Sequence, residues 1–187
     1  MLKHLPNTLS VVRIPASLAL LILFSPQSDS RIWVSIIISL FIMLTDIIDG
    51  RIARQVGVTS KLGYLLDGLG DRSFHVVIYL LFLRLNIINL FLAWILIFRE
   101  ICQYAVRLID ADWHVNQPRK DRITTKTYTI VVQLLFFTEL LRLAIAPTFL
   151  PNSNSIAVSL LLCIIVAASF TRLVPKIIKA WNEAINV

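Results

Sequence analysis

The chain has 187 residues, of which 57% are hydrophobic and 16% charged, and its mean hydropathy is +0.79. Soluble domains carry about a quarter charged residues, so this composition excludes a soluble enzyme, a disordered tail and a secreted disulfide scaffold, and reads as an integral membrane protein. The formal charge of +7 points first to anionic lipid and a positive-inside bias, with no compact basic region to carry nucleic acid.

Apolar runs separated by polar breaks predict six spanning helices of about twenty residues each. The first runs from about Leu9 to Phe24 and ends in Ser25-Pro26-Gln27-Ser28. Lys3 precedes it, as in a signal peptide, but Pro15 interrupts the run and no small-residue cleavage site follows, so a retained helix is expected. The second runs from Ile32 into the Asp46–Arg54 region, the third from Leu62 to Leu83, and the fourth from Ile87 to Ile109. The fifth runs from Thr127 to Ala146 and the sixth from Ile156 to Val174, with Arg119-Lys120-Asp121-Arg122 read as a basic loop ahead of the fifth. The expectation is one all-α membrane domain over 1–187, a bundle of six transmembrane helices without internal repeats. With the N-terminus inside, 15 of the 18 Lys and Arg fall on the inner side, and only Arg31, Arg84 and Arg142 fall outside. That asymmetry predicts an N-in, C-in orientation. Cys102 and Cys163 lie in apolar segments and form neither a disulfide framework nor a metal-spaced pair.

Four aspartates, Asp46, Asp49, Asp67 and Asp71, stand in or beside the second and third runs. A carboxylate at the centre of a bilayer helix costs about 2.5–3.5 kcal/mol, so four must face a wet cavity, a cation, or both. Asp46 and Asp49 share one helix face at i,i+3, and Asp67 and Asp71 share another at i,i+4. The short link Gln55-Val56-Gly57-Val58-Thr59 makes the two helices neighbours, so the pairs can converge. Hard oxygen ligands of this kind suit Mg²⁺ or Mn²⁺, and two such ions fit. Gly50 and Gly63 remove side chains one turn from Asp46 and Asp67, Ala53 keeps the face small, and Arg54 adds a cation suited to phosphate. A cation transporter also explains intramembrane aspartates, though not the arginines gathered beside them.

These residues read D-x-x-D-G-x-x-A-R, then eight residues, then G-x-x-x-D-x-x-x-D. The pattern resembles the complete signature of the CDP-alcohol phosphatidyltransferases, and the size and six-helix build resemble that family along the whole chain. The resemblance implies that Asp46, Asp49, Asp67 and Asp71 hold divalent metal and that Asp71 also acts as general base on the acceptor hydroxyl. It implies CDP contacts for Asn7, Gly50, Arg54 and Ser60. The substrates would be CDP-diacylglycerol and a small phosphorylated alcohol, with CMP as leaving group and membrane lipid around the site. Family members are often dimers, and no helix face in the sequence marks a contact. The expected location is a bacterial inner membrane with the site facing the cytoplasm.

For the acceptor, Pro6-Asn7-Thr8-Leu9-Ser10-Val11-Val12-Arg13 is similar to the P-N-x-L-T-x-x-R opening of phosphatidylglycerophosphate synthases, which eukaryotic-type cardiolipin synthases share. An interfacial helix with a turn at Pro6 is the plainer reading. Arg99-Glu100-Ile101, followed five residues later by Arg107, resembles a stretch of the same synthases. Arg99, Arg107 and Lys126 are therefore expected at the acceptor phosphate, pointing to sn-glycerol 3-phosphate; against this, Arg99 could simply pair with Glu100 and Arg107 snorkel to the interface. Asp67-Gly68-Leu69-Gly70-Asp71-Arg72 departs from the D-P-x-A-D-K of those synthases. The departure leaves phosphatidylglycerol or inositol phosphate as alternative acceptors. His75, one turn beyond Asp71, reads as a satisfied core histidine rather than a proton shuttle.

Overall fold

The computed structural model describes residues 5–56, 61–109, 119–145 and 151–185. They form six helices: α1 (Leu5–Leu23), α2 (Asp29–Val56), α3 (Lys61–Arg84), α4 (Leu90–Ile109), α5 (Arg119–Ile145) and α6 (Pro151–Ile185). There is no strand among the described residues, so the all-α expectation stands.

Local chemistry explains the breaks. At the end of α3, Asn86 adopts φ 55°, a left-handed conformation that Asn tolerates better than most residues. The amide of Ile87 donates to the Phe82 carbonyl at 2.9 Å and that of Asn86 to Leu83 at 3.0 Å, which closes the helix in a Schellman motif. Three residues later Asn89 caps α4, its side-chain oxygen accepting from the Leu92 amide at 2.8 Å. Between α1 and α2, the Ser28 carbonyl accepts the Ile32 amide at 3.0 Å, and Asp29 follows in the first turn, where the helix dipole favours an acid.

Several boundaries differ from the sequence reading. α1 starts at Leu5 rather than Leu9, with Pro15 inside it, and α6 runs on through Pro175 to Ile185 rather than ending at Val174. The basic run Arg119–Arg122 is the first turn of α5 and not a loop, because Arg and Lys are good helix formers and nothing in the run breaks a helix.

α3 is the central helix: it packs on α1, α4 and α5, while α2 packs on α1 and α5 and α6 on α4 and α5. Phe74, Ile78, Tyr79, Leu81 and Phe82 of α3 are buried, and Phe82 meets Phe136 of α5 edge-on at 5.8 Å. At one end, Arg84 Nη1 donates to the Phe24 carbonyl at 3.0 Å, tying the ends of α1 and α3 together.

The surface inverts the usual arrangement. Trp33, Ile37, Phe41 and Leu44 of α2 are exposed, as are Leu90, Phe91, Trp94 and Ile101 of α4, while Arg13, His75, Arg99, Glu100 and Glu139 are buried. Exposed apolar stripes of this extent suit lipid rather than water. Two helices are long and apolar enough to cross a membrane, over Tyr128–Ile145 and Ala157–Ile178; Ser10–Leu23 is a shorter apolar stretch. α2, α3 and α4, of 28, 24 and 20 residues, are about 42, 36 and 30 Å long and carry charged residues among their apolar ones.

Candidate metal and catalytic centre

Three of the four aspartates converge, as their helical spacing allows. Asp46 of α2 and Asp67 and Asp71 of α3 each offer a carboxylate oxygen, and the three oxygens lie within 4.8 Å of one another. Ligands on an octahedral Mg²⁺ at about 2.1 Å stand about 3–4.2 Å apart, so small side-chain rotations close the set on one ion. The donors are all hard oxygens, the type that Mg²⁺ and Mn²⁺ take. The site therefore fits a divalent metal.

Three carboxylates this close repel. At an effective dielectric of 20 and 4.8 Å, each pair costs about 3.5 kcal/mol, or about 10 kcal/mol for three pairs. The protein supplies a cation for them. Arg13 of α1 reaches between the helices; its Nη1 donates to Asp46 Oδ1 at 3.0 Å and Asp71 Oδ1 at 2.5 Å, and its Nη2 to Asp67 Oδ1 at 2.9 Å. Three such attractions at about 4 Å contribute about 12 kcal/mol on the same scale, enough to offset the repulsion. The cluster keeps a formal charge of −2, from −3 and +1.

α1 is held for this task. Ser10 Oγ accepts from Arg13 Nη2 at 3.1 Å, and Ser17 Oγ donates to the Arg13 carbonyl at 2.7 Å. Gly70 makes the approach possible. A Cβ there would stand 2.8 Å from the Ser10 carbonyl oxygen and 3.4 Å from Arg13 Nε. Gly70, just before Asp71, is therefore a point of close approach between the backbones of α1 and α3. The sequence reading leaves Arg13 without a role. Its signal was an arginine inside an apolar run with serines three before and four after it.

A second polar cluster lies one turn further along α3. Glu100 of α4 is buried and collects partners from α3 and from α4 itself. Tyr79 Oη donates to its Oε1 at 3.0 Å and Arg99 Nη1 to the same oxygen at 2.6 Å. Arg72 Nε stands 3.0 Å from Oε2 as an ion pair outside good hydrogen-bond geometry. Tyr79 and Tyr128 share a hydroxyl hydrogen bond of 2.8 Å, and the Arg99 guanidinium lies 3.6 Å from the centre of the Tyr128 ring. Two guanidiniums against one carboxylate leave this cluster at a formal +1. His75 is a core residue but not a satisfied one: neither ring nitrogen has a hydrogen-bond partner among the described residues.

Of the residues singled out in the sequence, the structure thus brings together Asp46, Asp67 and Asp71, and it sets Arg99 against Glu100. Asp49, Gly50 and Arg54 lie on α2, Asn7 on α1, Arg107 on α4 and Lys126 on α5, but their side chains are outside the described residues, as is Ser60 altogether.

Comparison with known proteins agrees with this geometry. One stretch is similar to the phosphatidylinositol phosphate synthase of Streptomyces avermitilis, 36% identical over 67 residues, covering 36% of this chain and 27% of that protein. Another is similar to the CDP-diacylglycerol–glycerol-3-phosphate 3-phosphatidyltransferase of Rickettsia bellii, 24% identical over 126 residues, covering 67% of this chain and 70% of that protein. No solved structure matches. The family model for CDP-alcohol phosphatidyltransferase matches residues 3–171, a span that contains both polar clusters, and the chain belongs to this family of transferases.

Proposed function

We propose that the protein transfers the phosphatidyl group of CDP-diacylglycerol to an alcohol, with sn-glycerol 3-phosphate as acceptor, giving phosphatidylglycerophosphate and CMP. The observation that carries the reading is the convergence of Asp46, Asp67 and Asp71 from two helices, within the family's motif, on a volume that fits a divalent metal. The proposed assembly is a single membrane domain of six spanning helices, N-in and C-in. Its site would open to the cytoplasm and sideways to lipid in a bacterial inner membrane, since one substrate carries two acyl chains.

Asp46, Asp49, Asp67 and Asp71 would hold Mg²⁺ or Mn²⁺, with room for two ions. When bound, these ions supply charge neutralisation and alignment to the diphosphate. Asn7, Gly50, Arg54 and Ser60 would hold the CDP part. Asp71 would take the proton of the acceptor hydroxyl; its side chain remains 20% exposed, so the hydroxyl can reach it. Arg99, Arg107 and Lys126 would face the acceptor phosphate. Support comes from the excess positive charge of the Glu100 cluster, one of whose arginines, Arg72, adjoins Asp71 on α3.

Inositol phosphate is the second reading for the acceptor. The 36% identity to a phosphatidylinositol phosphate synthase favours it, as does the departure at Gly68, Gly70 and Arg72 from the synthase pattern.

The test is CMP release by the purified protein in detergent with CDP-diacylglycerol, Mg²⁺ and one alcohol at a time, with Asp71→Asn as blank. CMP with glycerol 3-phosphate alone is the expected result. CMP only with inositol phosphate would keep the chemistry and replace the acceptor, and none with any alcohol would refute the proposed transfer.

A further inference from the structure

The two kinds of charge in the metal cluster differ in their access to solvent. Arg13 is 1% exposed, whereas the side chains of Asp46, Asp67 and Asp71 are 37%, 38% and 20% exposed. A cation that blocked the site would sit on its open side. Arg13 sits on the closed side, beneath the carboxylates, and what faces outward is carboxylate. The arginine is the floor of the site, not its lid.

Its position is built in. Ser10 holds one Nη, and the Gly70 contact fixes how near α1 comes. One guanidinium binds three carboxylates from α2 and α3, so it joins all three helices at the point where their charges meet.

We propose that Arg13 is the resident counter-cation of the metal centre. It is a positioning residue: it offsets part of the charge on Asp46, Asp67 and Asp71 and keeps them converged, so that the site stands before metal arrives. The inference rests on the metal-centre reading above. Without Arg13, the three carboxylates lose the cation that bridges all of them in the structure. A bound divalent cation would then supply the missing charge. Removing Arg13 should therefore harm the metal-free state far more than the loaded one.

Thermal unfolding of the full chain in detergent tests this, in EDTA and in saturating Mn²⁺, and needs no turnover. Arg13→Gln should melt much earlier than wild type in EDTA and recover in Mn²⁺, enlarging the metal-induced shift in Tm by about 5 °C or more. Arg13→Lys keeps the charge and should keep a shift close to wild type. An equal loss in both conditions would mean a packing role and overturn the proposal, as would an Arg13→Lys variant that behaves like Arg13→Gln. If Arg13→Gln does not fold even with Mn²⁺, Arg13→Gln combined with Asp46→Asn, which restores the net charge, must fold in EDTA; failure to do so also overturns it. A wild type with no metal-induced shift would instead sink the metal-centre reading itself.

Discussion

Gly70→Ala sets two effects of similar size against each other. Alanine is preferred over glycine inside a helix by about 1 kcal/mol, and Gly70 is well inside α3. By propensity alone the variant should be more stable. The added Cβ, however, would lie 2.8 Å from the Ser10 carbonyl oxygen, where carbon–oxygen contacts normally begin at about 3.3 Å. The obstacle is backbone, so α1 itself must retreat by about 0.5 Å. Overpacking of this kind costs about 1–3 kcal/mol. The retreat also carries Arg13 away, stretching bonds now at 2.5–3.0 Å toward the limit of hydrogen bonding. Weakening a bond to a charged group loses up to about 1.5–3 kcal/mol. With such a bond fully weakened, the losses exceed the gain by about 1.5–5 kcal/mol, which lowers Tm by about 3–20 °C for a chain of this length. Thermal unfolding in detergent reads the shift directly. A Gly70→Ala protein that melts at or above wild type would refute the close α1–α3 contact and with it the placement of Arg13.

Two further substitutions probe the two clusters separately. Asp71→Asn should reduce CMP release by about 10²–10⁴-fold, the usual contribution of a general base, while Mn²⁺ still raises Tm through Asp46 and Asp67; unimpaired release would remove Asp71 from the chemistry. Glu100→Ala leaves Arg72 and Arg99 buried without their carboxylate and should cost about 3–5 kcal/mol of stability; a loss under about 1 kcal/mol in denaturant or thermal melts would mean that the pair is not desolvated.

What the sequence discloses follows from what kind of rule governs each feature. The aspartates were legible because helical periodicity is local: i,i+3 and i,i+4 spacing fixes a shared face without knowledge of the rest of the chain. The six helices were legible because apolar runs and their polar breaks are local too. Arg13 was not, because its partners lie 33, 54 and 58 residues away. Nothing in the run around it says which helices it will face. The packing role of Gly70 was hidden for the same reason. In the sequence it is one departure from the D-P-x-A-D-K pattern; in the fold the space beside it is taken by the backbone of α1. Glu100 was seen only as a partner for Arg99, since its contacts with Arg72, Tyr79 and His75 require α3 and α4 to be packed.

α3 connects the two clusters and separates their signs. Asp71 and Arg72 are consecutive, so they project about 100° apart around the helix. Asp67 and Asp71 turn to Arg13 and Asp46, while Arg72 and Tyr79 turn to Glu100. At the carboxylate cluster itself, Asp46, Asp67 and Asp71 contribute −3 and Arg13 +1, which leaves −2 without metal. One divalent cation brings this to 0 and two bring it to +2. An anionic diphosphate thus meets repulsion at this cluster in the metal-free protein, which one ion relieves and two turn to attraction. The carboxylates are partly exposed, so salt screens this effect in part. Metal should therefore bind first. In EDTA, CDP should leave Tm unchanged; in Mn²⁺ it should raise Tm in a concentration-dependent way. Equal stabilisation by CDP in both conditions would show that the nucleotide is held by groups outside these two clusters, and that their charge does not set the order of binding.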